Sequence, residues 1–505
     1  MAHRYIKKIL EARVYDVAIE TPLDEAPALS ARLNNQILLK REDLQPVFSF
    51  KLRGAYNRMA QLSESDKAAG VITASAGNHA QGLAMSAKAM GVKATIVMPK
   101  TTPDIKVSSV RARGGHVVLH GDTFDEAQAH ARMLMDEKGM TYIPPFDDPD
   151  VIAGQGTIAM ELLRQHSGHI DAVFVPVGGG GLIAGIAVYI KYLRPETRII
   201  GVEPEDAACL KAALEAGERV TLPQVGLFAD GVAVARIGEH TFELAQQFVD
   251  EVITVTTDEI CAAVKDIFDD TRSVCEPAGA LGVAGIKKYV ELTGATQQTL
   301  VAIDSGANVN FDRLRHIAER SELGEKREAI IAAKIPEHPG SFKNFCKALG
   351  KRNITEFNYR YGDDQEAIVF AGVQIKPNNG GRQELLETLA NHQIDCVDLT
   401  DNEMAKIHIR YMVGGHAPAS LNDEVIYRFE FPERPGALML FLSKMGGRWN
   451  ISMFHYRNHG AAYGRVLLGM QVPVEERHLV PAFLEEVGYS YSEETENEAY
   501  KLFLG

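Results

Sequence analysis

Short apolar, β-branched runs alternate with longer amphipathic stretches from about Gln36 to Phe311. The short runs predict strands, because β-branched residues and close bounding turns are typical of them. They cover residues 36–40, 70–73, 94–98, 116–119, 171–177, 198–202, 251–255 and 299–303. The stretches 78–90 and 123–138 have the spacing of amphipathic helices. This alternation predicts an α/β fold of mostly parallel strands covered by helices, with the chemistry in loops at the carboxyl ends of strands.

The chain repeats itself beyond a charge-dense stretch at residues 313–327. The matching pairs are 328–340 with 424–436, 354–360 with 451–457, and 372–375 with 469–472. A period of about 96 residues suits two copies of a small domain. Each copy has the order strand, Pro-Gly turn, helix, strand, strand, helix, which is typical of ferredoxin-like folds. We therefore predict three parts, at residues 1–320, 321–420 and 421–505.

Composition narrows the range of partners and locations. A chain of 505 residues exceeds what one hydrophobic core supports. A net charge of −14 opposes binding to nucleic acid or to anionic membranes. No apolar run approaches the roughly 20 residues that span a bilayer, and the first residues do not resemble a secretion signal. Five scattered cysteines without a C-x-x-C pair favour a reducing, cytoplasmic location and no metal cluster.

A lysine in an aromatic and apolar segment is the strongest local signal for covalent chemistry. Lys51 follows Phe48 and Phe50, and Arg53 lies just beyond it. Such a pocket, next to another cation, lowers the preference of an amine for its charged form. A neutral amine can attack an aldehyde to form a Schiff base. Taken alone, Lys51 is weak evidence, because most lysines at a helix start are solvated surface groups.

A second motif, Thr-Ala-Ser-Ala-Gly-Asn-His-Ala-Gln-Gly at residues 73–82, lies between a predicted strand and a helix. Its small residues let backbone N–H groups converge at the helix N-terminus. With the Ser75 hydroxyl, this turn can hold a carboxylate. A helix cap made by Ser75 or Asn78 is the alternative. His79 is more readily explained as a hydrogen-bonded structural histidine.

Four glycines, Gly178, Gly179, Gly180 and Gly181, separate a predicted strand from a helix and are followed by Leu182. The N–H groups of such a nest suit a phosphate. The loop lacks the Lys-Ser/Thr ending of a P-loop, which argues against nucleoside triphosphates. Its glycine spacing does not match G-x-G-x-x-G, so a dinucleotide site is only a minor alternative.

The last strand predicted in the α/β part leads into Asp304-Ser305-Gly-Ala-Asn308. A hydroxyl at this place can hydrogen-bond a ring nitrogen without fully protonating it. Alternation along a strand puts Asp304 and Ser305 on opposite faces, and we expect Ser305 to face the ligand. A plain turn is the alternative. The lysine, the carboxylate turn, the phosphate nest and the ring partner are together the parts needed to hold pyridoxal phosphate (PLP) and an amino acid.

On these motifs and on the repeated tail, the chain resembles the fold-type II PLP enzymes, and among them the biosynthetic threonine dehydratases. The resemblance covers nearly the whole chain. It implies a catalytic domain with the tryptophan synthase β-like fold and mostly parallel sheets, followed by two ferredoxin-like (ACT-like) α+β regulatory subdomains. It implies that Lys51 carries PLP as a Schiff base, that Phe50 packs on the ring and that Asn78 contacts the ring oxygen.

The same resemblance assigns the remaining positions. Residues Gly178 to Leu182 would bind the phosphate, and Ser305 would face the pyridine nitrogen. The substrate carboxylate would bind to the loop formed by Ser75, Ala76, Gly77, Asn78 and His79. Ala76 stands where serine racemases of this family carry a second serine, and Leu52 stands where threonine synthases usually carry an aspartate. Both differences favour a dehydratase.

The implied reaction removes water and then ammonia from L-threonine and yields 2-oxobutanoate. Lys51 would take the α-proton, and the neutral Ser305 would favour elimination over a long-lived carbanion. A dehydratase that also accepts L-serine is a second possibility. A catalytically silent amino-acid sensor that keeps the fold is a third.

The segment from Pro432 to Leu438 resembles the strand-turn-helix signature of ACT domains, which bind amino acids. We expect Arg434, Gly436 and Leu438 to contact an effector. The first copy departs from the pattern by having His338 in place of the arginine. The family implies inhibition by isoleucine, relief by valine and a homotetramer. A dimerisation module without a ligand is the alternative.

Overall fold

The computed structural model describes residues 2–311, 313–361, 366–376, 380–407, 409–412, 417–418, 421–432, 437–445, 447–457, 463–497, 500–501 and 504. The chain forms two compact units, Met1–Gly324 and Glu325–Gly505. The boundary follows a helix that contains most of the charge-dense stretch, so this helix belongs to the first unit. No helix among the described residues is long and apolar enough to cross a membrane.

The described strands of the first unit form two sheets. They are β1 (Leu23–Glu25), β2 (Gln36–Arg41), β3 (Val71–Ala74), β4 (Ala94–Met98), β5 (His116–Leu119), β6 (Thr141–Tyr142), β7 (Ala172–Pro176), β8 (Arg198–Pro204), β9 (Glu251–Val255) and β10 (Thr299–Asp304). One sheet has the order β1-β2-β10-β7-β8-β9 and the other the order β5-β4-β3-β6. The pairing of β1 with β2 is antiparallel, and the other pairings of these strands are parallel.

Helices cover both sheets of the first unit. They are α1 (Ala2–Leu10), α2 (Pro27–Leu33), α3 (Lys51–Ala60), α4 (Glu64–Ala69), α5 (Asn78–Met90), α6 (Asp104–Ala112), α7 (Phe124–Lys138), α8 (Pro149–Gln165), α9 (Gly181–Leu193), α10 (Cys209–Ala216), α11 (Glu239–Phe248), α12 (Thr257–Thr271), α13 (Pro277–Thr293) and α14 (Arg313–Gly324). The predicted α/β class is confirmed. Strands β4 and β7 are buried along their whole length, as expected for parallel strands covered on both faces.

The second unit contains two β-α-β-β-α-β copies. The first consists of β11 (Glu328–Pro336), α15 (Ser341–Leu349), β12 (Ile354–Arg360), β13 (Glu366–Gln374), α16 (Gly381–Asn391) and β14 (Asp395–Asp398). A short helix, α17 (Glu403–Ile407), follows it. The second copy consists of β15 (Glu424–Pro432), α18 (Ala437–Met445), β16 (Asn450–Arg457), β17 (Tyr463–Gln471), α19 (Val480–Val487) and β18 (Ser490–Glu493).

The two copies share one antiparallel sheet of the order β14-β11-β13-β12-β16-β17-β15-β18. Each half has the strand order of a ferredoxin-like fold, and the halves join where β12 pairs with β16, from Glu356 opposite Arg457 to Arg360 opposite Met453. One hydrophobic cluster runs through both halves and includes Phe345, Phe357 and Phe454. The internal repeat in the sequence therefore corresponds to two halves of one continuous structure.

Candidate active site

The sequence motifs of the first unit lie at the carboxyl ends of three parallel strands. The Ser75 loop follows β3, the glycine loop follows β7, and Ser305 follows β10. Helices α5 and α9 begin directly after the first two loops, so their N-termini direct unpaired N–H groups to this edge. Phe50 donates its N–H to the carbonyl oxygen of Ser305 over 3.3 Å, which joins the lysine motif to the last strand.

Lys51 is the first residue of α3, and its amine lies among apolar and carbonyl groups. Nζ donates to the carbonyl oxygen of Pro145 over 3.1 Å and lies 5.2 Å from the centre of the Phe50 ring. Phe50 itself belongs to the buried cluster that contains Val177 and Leu182. Burial lowers the pKa of Lys51 to about 8, and the charge of Glu276 partly opposes this shift. The amine is therefore far easier to deprotonate than an ordinary lysine.

Arg53 does not cause this shift, contrary to the expectation from its position in the sequence. Its guanidinium forms buried ion pairs with Glu42 (Nε to Oε2, 2.8 Å) and with Glu161 (Nη1 to Oε1, 2.5 Å). Lys40 pairs with the same Glu161 over 2.7 Å, and all four side chains are fully buried. Two cations and two anions balance here, so this network fixes α3, which carries Lys51, to β2 and α8.

The predicted carboxylate turn connects β3 to α5. The N–H of Gly77 donates to Oγ of Ser75 over 3.3 Å, and an added Cβ at Gly77 would meet nothing within 4 Å. Open space therefore lies beside the turn. Ala76 packs partly against the apolar cluster that contains Ala80.

His79 is buried behind this turn. Its Nε2 lies 2.9 Å from the carbonyl oxygen of Ile143, which can only accept, so Nε2 carries the proton. Burial, and next the charge of Lys51, lower the pKa of His79 to about 4. The ring is therefore neutral at physiological pH. Its contact with the Ile143 carbonyl supports the turn, as expected for a structural histidine.

Asn78 lies at the centre of a hydrogen-bonded chain of side chains. Its Nδ2 donates to Oε1 of Glu276 over 2.7 Å, and its Oδ1 accepts from Nδ2 of Asn308 over 2.7 Å. Asn308 also donates to the carbonyl oxygen of Val47 over 2.8 Å. These contacts fix the amide orientation of Asn78 and leave its second N–H available to a ligand.

The glycine loop has the properties of a phosphate cradle. Gly180 has φ of 89° and ends the loop before α9. Gly179 is buried against Phe146, where an added Cβ would lie 2.2 Å from the ring. Among the residues that the structure describes, none accepts a hydrogen bond from the N–H groups of Gly178, Gly179 or Gly180. Buried N–H groups without an acceptor are rare, so these residues fit a bound phosphate.

Ser305 and Asp304 face different surroundings at the end of β10. The Ser305 hydroxyl is buried, and Oγ lies 3.4 Å from the carbonyl oxygen of Ala278. In contrast, Oδ2 of Asp304 lies 3.8 Å from Nε of Arg41. Burial, and next the charge of Asp43, raise the pKa of Asp304 well above its usual range. This geometry agrees with the expectation that the two side chains diverge.

Sequence reasoning missed Glu276 and the segment Pro145–Asp148. Glu276 precedes α13 and is buried beside Asn78; burial, and next the charge of Asp230, raise its pKa to about 7. A proline at the first position of α13 is the signal that could have marked this glutamate as the residue before a helix. Nothing in the sequence marks the segment 145–148.

The effector residues are only partly described. Arg434 and Gly436 lie outside the residues that the structure describes. Leu438 lies at the start of α18 and packs, partly buried, against the common core of the second unit. In the first copy, Oγ of Ser341 lies 3.1 Å from Nδ1 of His338.

Comparison with known proteins agrees with the geometry. Residues 14–306 match the family described as pyridoxal-phosphate dependent enzyme. Residues 319–409 and 415–504 each match the C-terminal regulatory domain of threonine dehydratase. The chain is 58% identical over 506 residues to the L-threonine dehydratase biosynthetic IlvA of Burkholderia multivorans, covering 100% of this chain and 99% of that protein. It is 56% identical over 503 residues to the protein of the same name from Escherichia coli, covering 99% and 97%.

Solved structures resemble somewhat less than two thirds of the chain. The processed form of threonine deaminase isoform 2 from Solanum lycopersicum is 53% identical, with a TM-score of 0.63, over 63% of this chain and 93% of that chain. Maize serine racemase is 32% identical, with a TM-score of 0.59, over 62% of this chain and 95% of that chain. The chain therefore belongs to the biosynthetic threonine dehydratases, PLP-dependent lyases that carry a C-terminal regulatory domain.

Proposed function

We propose that the chain converts L-threonine to 2-oxobutanoate and ammonia, as the first step toward isoleucine, and that isoleucine inhibits and valine restores this activity. The environment of Lys51 is the observation that supports the catalytic part of this proposal. An amine with a pKa of about 8 has a considerable neutral fraction near physiological pH. Lys51 would hold the cofactor through Nζ, and the same amine, when free and neutral, would accept the α-proton of the substrate at Nζ.

Each further residue has a defined task in this proposal. Gly178, Gly179, Gly180, Gly181 and Leu182 hold the phosphate of PLP at the start of α9. Asn78 donates to the ring oxygen, Phe50 packs on the ring, and Ser305 faces the ring nitrogen. PLP, when bound, supplies the electron sink for the charge left at the α-carbon. Because the Ser305 hydroxyl is neutral, it limits that sink and favours loss of the β-hydroxyl.

The substrate carboxylate is assigned to the turn that follows β3. The Ser75 hydroxyl and the N–H of Ala76 lie near the N-terminus of α5, and the open space beside Gly77 has room for a carboxylate. His79, held on the Ile143 carbonyl, positions the turn rather than donating to the substrate. Ala76 has no ionisable group, so it cannot protonate the α-carbon on the face opposite Lys51, and racemisation is disfavoured.

Regulation is assigned to the second unit. Its two copies share one sheet and one core, so a ligand that alters one copy can alter the packing of the other. Arg434, Gly436 and Leu438 are the proposed effector contacts in the second copy. Inhibition then follows if isoleucine favours one of two states of the enzyme and valine the other. A homotetramer and a cytoplasmic location complete the proposal; the cytoplasmic location is in keeping with five scattered cysteines that form no C-x-x-C pair.

The decisive assay measures 2-oxobutanoate from L-threonine with and without isoleucine, and then with isoleucine plus valine. The proposal predicts product formation, its suppression by isoleucine and its recovery with valine. Initial rates on L-serine and L-threonine distinguish the proposal from a dehydratase of broader range. Loss of the visible absorption band of bound PLP in Lys51→Ala would exclude a silent sensor, whereas no band in the wild-type chain would contradict the catalytic proposal.

A further inference from the structure

A threonine hydroxyl on α11 forms a hydrogen bond to the backbone of the glycine loop. Oγ1 of Thr241 donates to the carbonyl oxygen of Gly179 over 2.8 Å, and the N–H of Gly238 approaches the same oxygen at 3.4 Å. Thr241 is fully buried, so this hydrogen bond is shielded from water. Neither Thr241 nor α11 belongs to the motifs that carry the proposed chemistry.

This contact determines where the loop directs its donors. In a trans peptide the C=O and the following N–H point to opposite sides. A Gly179 carbonyl held against Thr241 therefore turns the N–H of Gly180 away from α11. Sγ of Cys209 acts in the same way on the carbonyl oxygen of Gly178, at 3.4 Å, and so orients the N–H of Gly179. These are N–H groups for which the described residues provide no acceptor.

Asp147 holds Thr241 in place. Its Oδ2 accepts from the N–H of Glu239 over 2.8 Å, and its Oδ1 accepts from those of His240 over 2.9 Å and Thr241 over 3.3 Å. A carboxylate at the first turn of a helix satisfies the unpaired N–H groups and stabilises the helix dipole. Asp147 thus fixes the first turn of α11, on which Thr241 lies.

The segment Pro145–Asp148 connects this support to the lysine. Its first residue accepts from Nζ of Lys51, and its second, Phe146, packs against Gly179. Its third residue, Asp147, caps α11. Its fourth residue, Asp148, caps α8 by accepting hydrogen bonds from the N–H groups of Asp150 and Val151. Four consecutive residues thereby tie the amine and the phosphate loop to the same stretch of backbone.

We propose that Thr241 and Asp147 are positioning residues that orient the glycine loop toward the phosphate of PLP. The inference rests on the proposed assignment of the phosphate to Gly178–Leu182, and it concerns binding of the cofactor rather than chemistry at the α-carbon. A loop without these hydrogen bonds must be ordered when PLP binds. The free-energy cost of this ordering weakens the affinity for PLP.

The test is a titration of full-length apoenzyme with PLP, followed by fluorescence and by the ³¹P resonance of the bound phosphate. Thr241→Val keeps the shape of the side chain and removes the hydroxyl; we expect the dissociation constant to rise about tenfold, as for the loss of one buried hydrogen bond. The ³¹P resonance should move as well. Thr241→Ser keeps the hydroxyl and should bind PLP as the wild type does. Asp147→Ala should weaken binding as Thr241→Val does.

A matched control is Thr256→Val, which removes a helix-capping hydroxyl from α12 without touching the loop. Wild-type affinity in Thr241→Val, or a loss in Thr241→Ser as large as in Thr241→Val, would overturn the inference. If circular dichroism shows that Thr241→Val does not fold, the inference is tested with Asp147→Ala and Thr241→Ser instead. Wild-type affinity for PLP in Asp147→Ala then overturns the inference. A wild-type chain that binds no PLP would instead refute the proposed function, on which the inference rests.

Discussion

Asn78 and Glu276 are 198 residues apart in the chain, yet Nδ2 of Asn78 donates to Oε1 of Glu276 over 2.7 Å. The bond joins the start of α5 to the start of α13 beside the proposed cofactor site. Burial, and next the charge of Asp230, raise the pKa of Glu276 to about 7. The negative charge of Glu276 in turn favours the charged form of Lys51, against the larger effect of burial.

Glu276→Gln is expected to lower the pKa of Lys51 in the apoenzyme. Glutamine still offers an acceptor to Asn78, but it lacks the charge that stabilises the ammonium group. Attachment of PLP needs the neutral amine, so its rate rises as pH rises through the pKa of Lys51. The wild-type midpoint should lie near pH 8, and that of the variant at lower pH.

Stopped-flow absorbance over a range of pH measures both midpoints. Glu64→Gln is a suitable control, because that carboxylate is 91% exposed and lies outside the site. A midpoint in Glu276→Gln equal to or above that of the wild type would show that Glu276 does not act on Lys51.

Gly77→Ala should weaken substrate binding without affecting the cofactor. Gly77 has φ of −124°, outside the left-handed region that favours glycine, and the new methyl group would occupy the open space assigned to the substrate carboxylate. We expect KM for L-threonine to rise about tenfold, the equivalent of about 1.4 kcal/mol, with the PLP dissociation constant unchanged.

Gly179→Ala provides the contrasting variant. Its methyl group would collide with the Phe146 ring, so PLP affinity should fall. Steady-state kinetics and PLP titration of both variants separate the two sites. An unchanged KM in Gly77→Ala would remove the substrate assignment of this turn.

Arg53→Ala should strongly destabilise the first unit. The substitution leaves the buried carboxylates of Glu42 and Glu161 with one cation, Lys40, between them. Removing one partner of a buried ion pair costs about 3–5 kcal/mol. Thermal unfolding of the variant, followed by circular dichroism, should show its first unfolding transition at a clearly lower temperature than that of the wild type.

The matched control for Arg53 is Arg13→Ala, which removes an arginine that is 63% exposed and paired with Asp16. Exposed pairs contribute little, so its transition should stay near that of the wild type. Equal effects in the two variants would mean that the buried network does not fix α3.

A chain truncated after Gly324 should keep its activity and lose its response to isoleucine. The cut is placed there because α14 packs on α12, with Arg320 paired to Asp258 and Leu323 buried. A cut at Ser321 would remove part of that packing. Assays of 2-oxobutanoate formation with increasing isoleucine compare the truncated and full-length chains. Full inhibition of the truncated chain would refute the assignment of regulation to residues 325–505.

The sequence predicted the elements that hydrophobic patterning marks strongly. Each of the eight strands predicted in the first unit is present, and α5 spans the predicted residues 78–90. Strands β1 and β6 were not predicted, because they have three and two residues and are too short to show alternation. The internal repeat predicted two small α+β copies but not their common sheet, since pairing of β12 with β16 is a long-range contact.

The same limit applies to the site. Asn78, the glycine loop and Ser305 each stand in a local motif next to a strand end, and Lys51 stands in an aromatic segment at a helix start, so the sequence alone could point to them. Glu276 reaches the site only because α13 begins against the turn after β10, where its N–H donates to the carbonyl oxygen of Gly306. Thr241 and Asp147 act through the fold and have no local signature.

Reduction of the PLP-loaded enzyme with borohydride, followed by peptide mapping, shows which lysine holds the cofactor. The reduction turns a cofactor–lysine linkage into a stable tag on the amine that carries it. We expect one tagged peptide, with the tag on Lys51. A tag on another lysine, or on none, would refute the catalytic role proposed for Lys51.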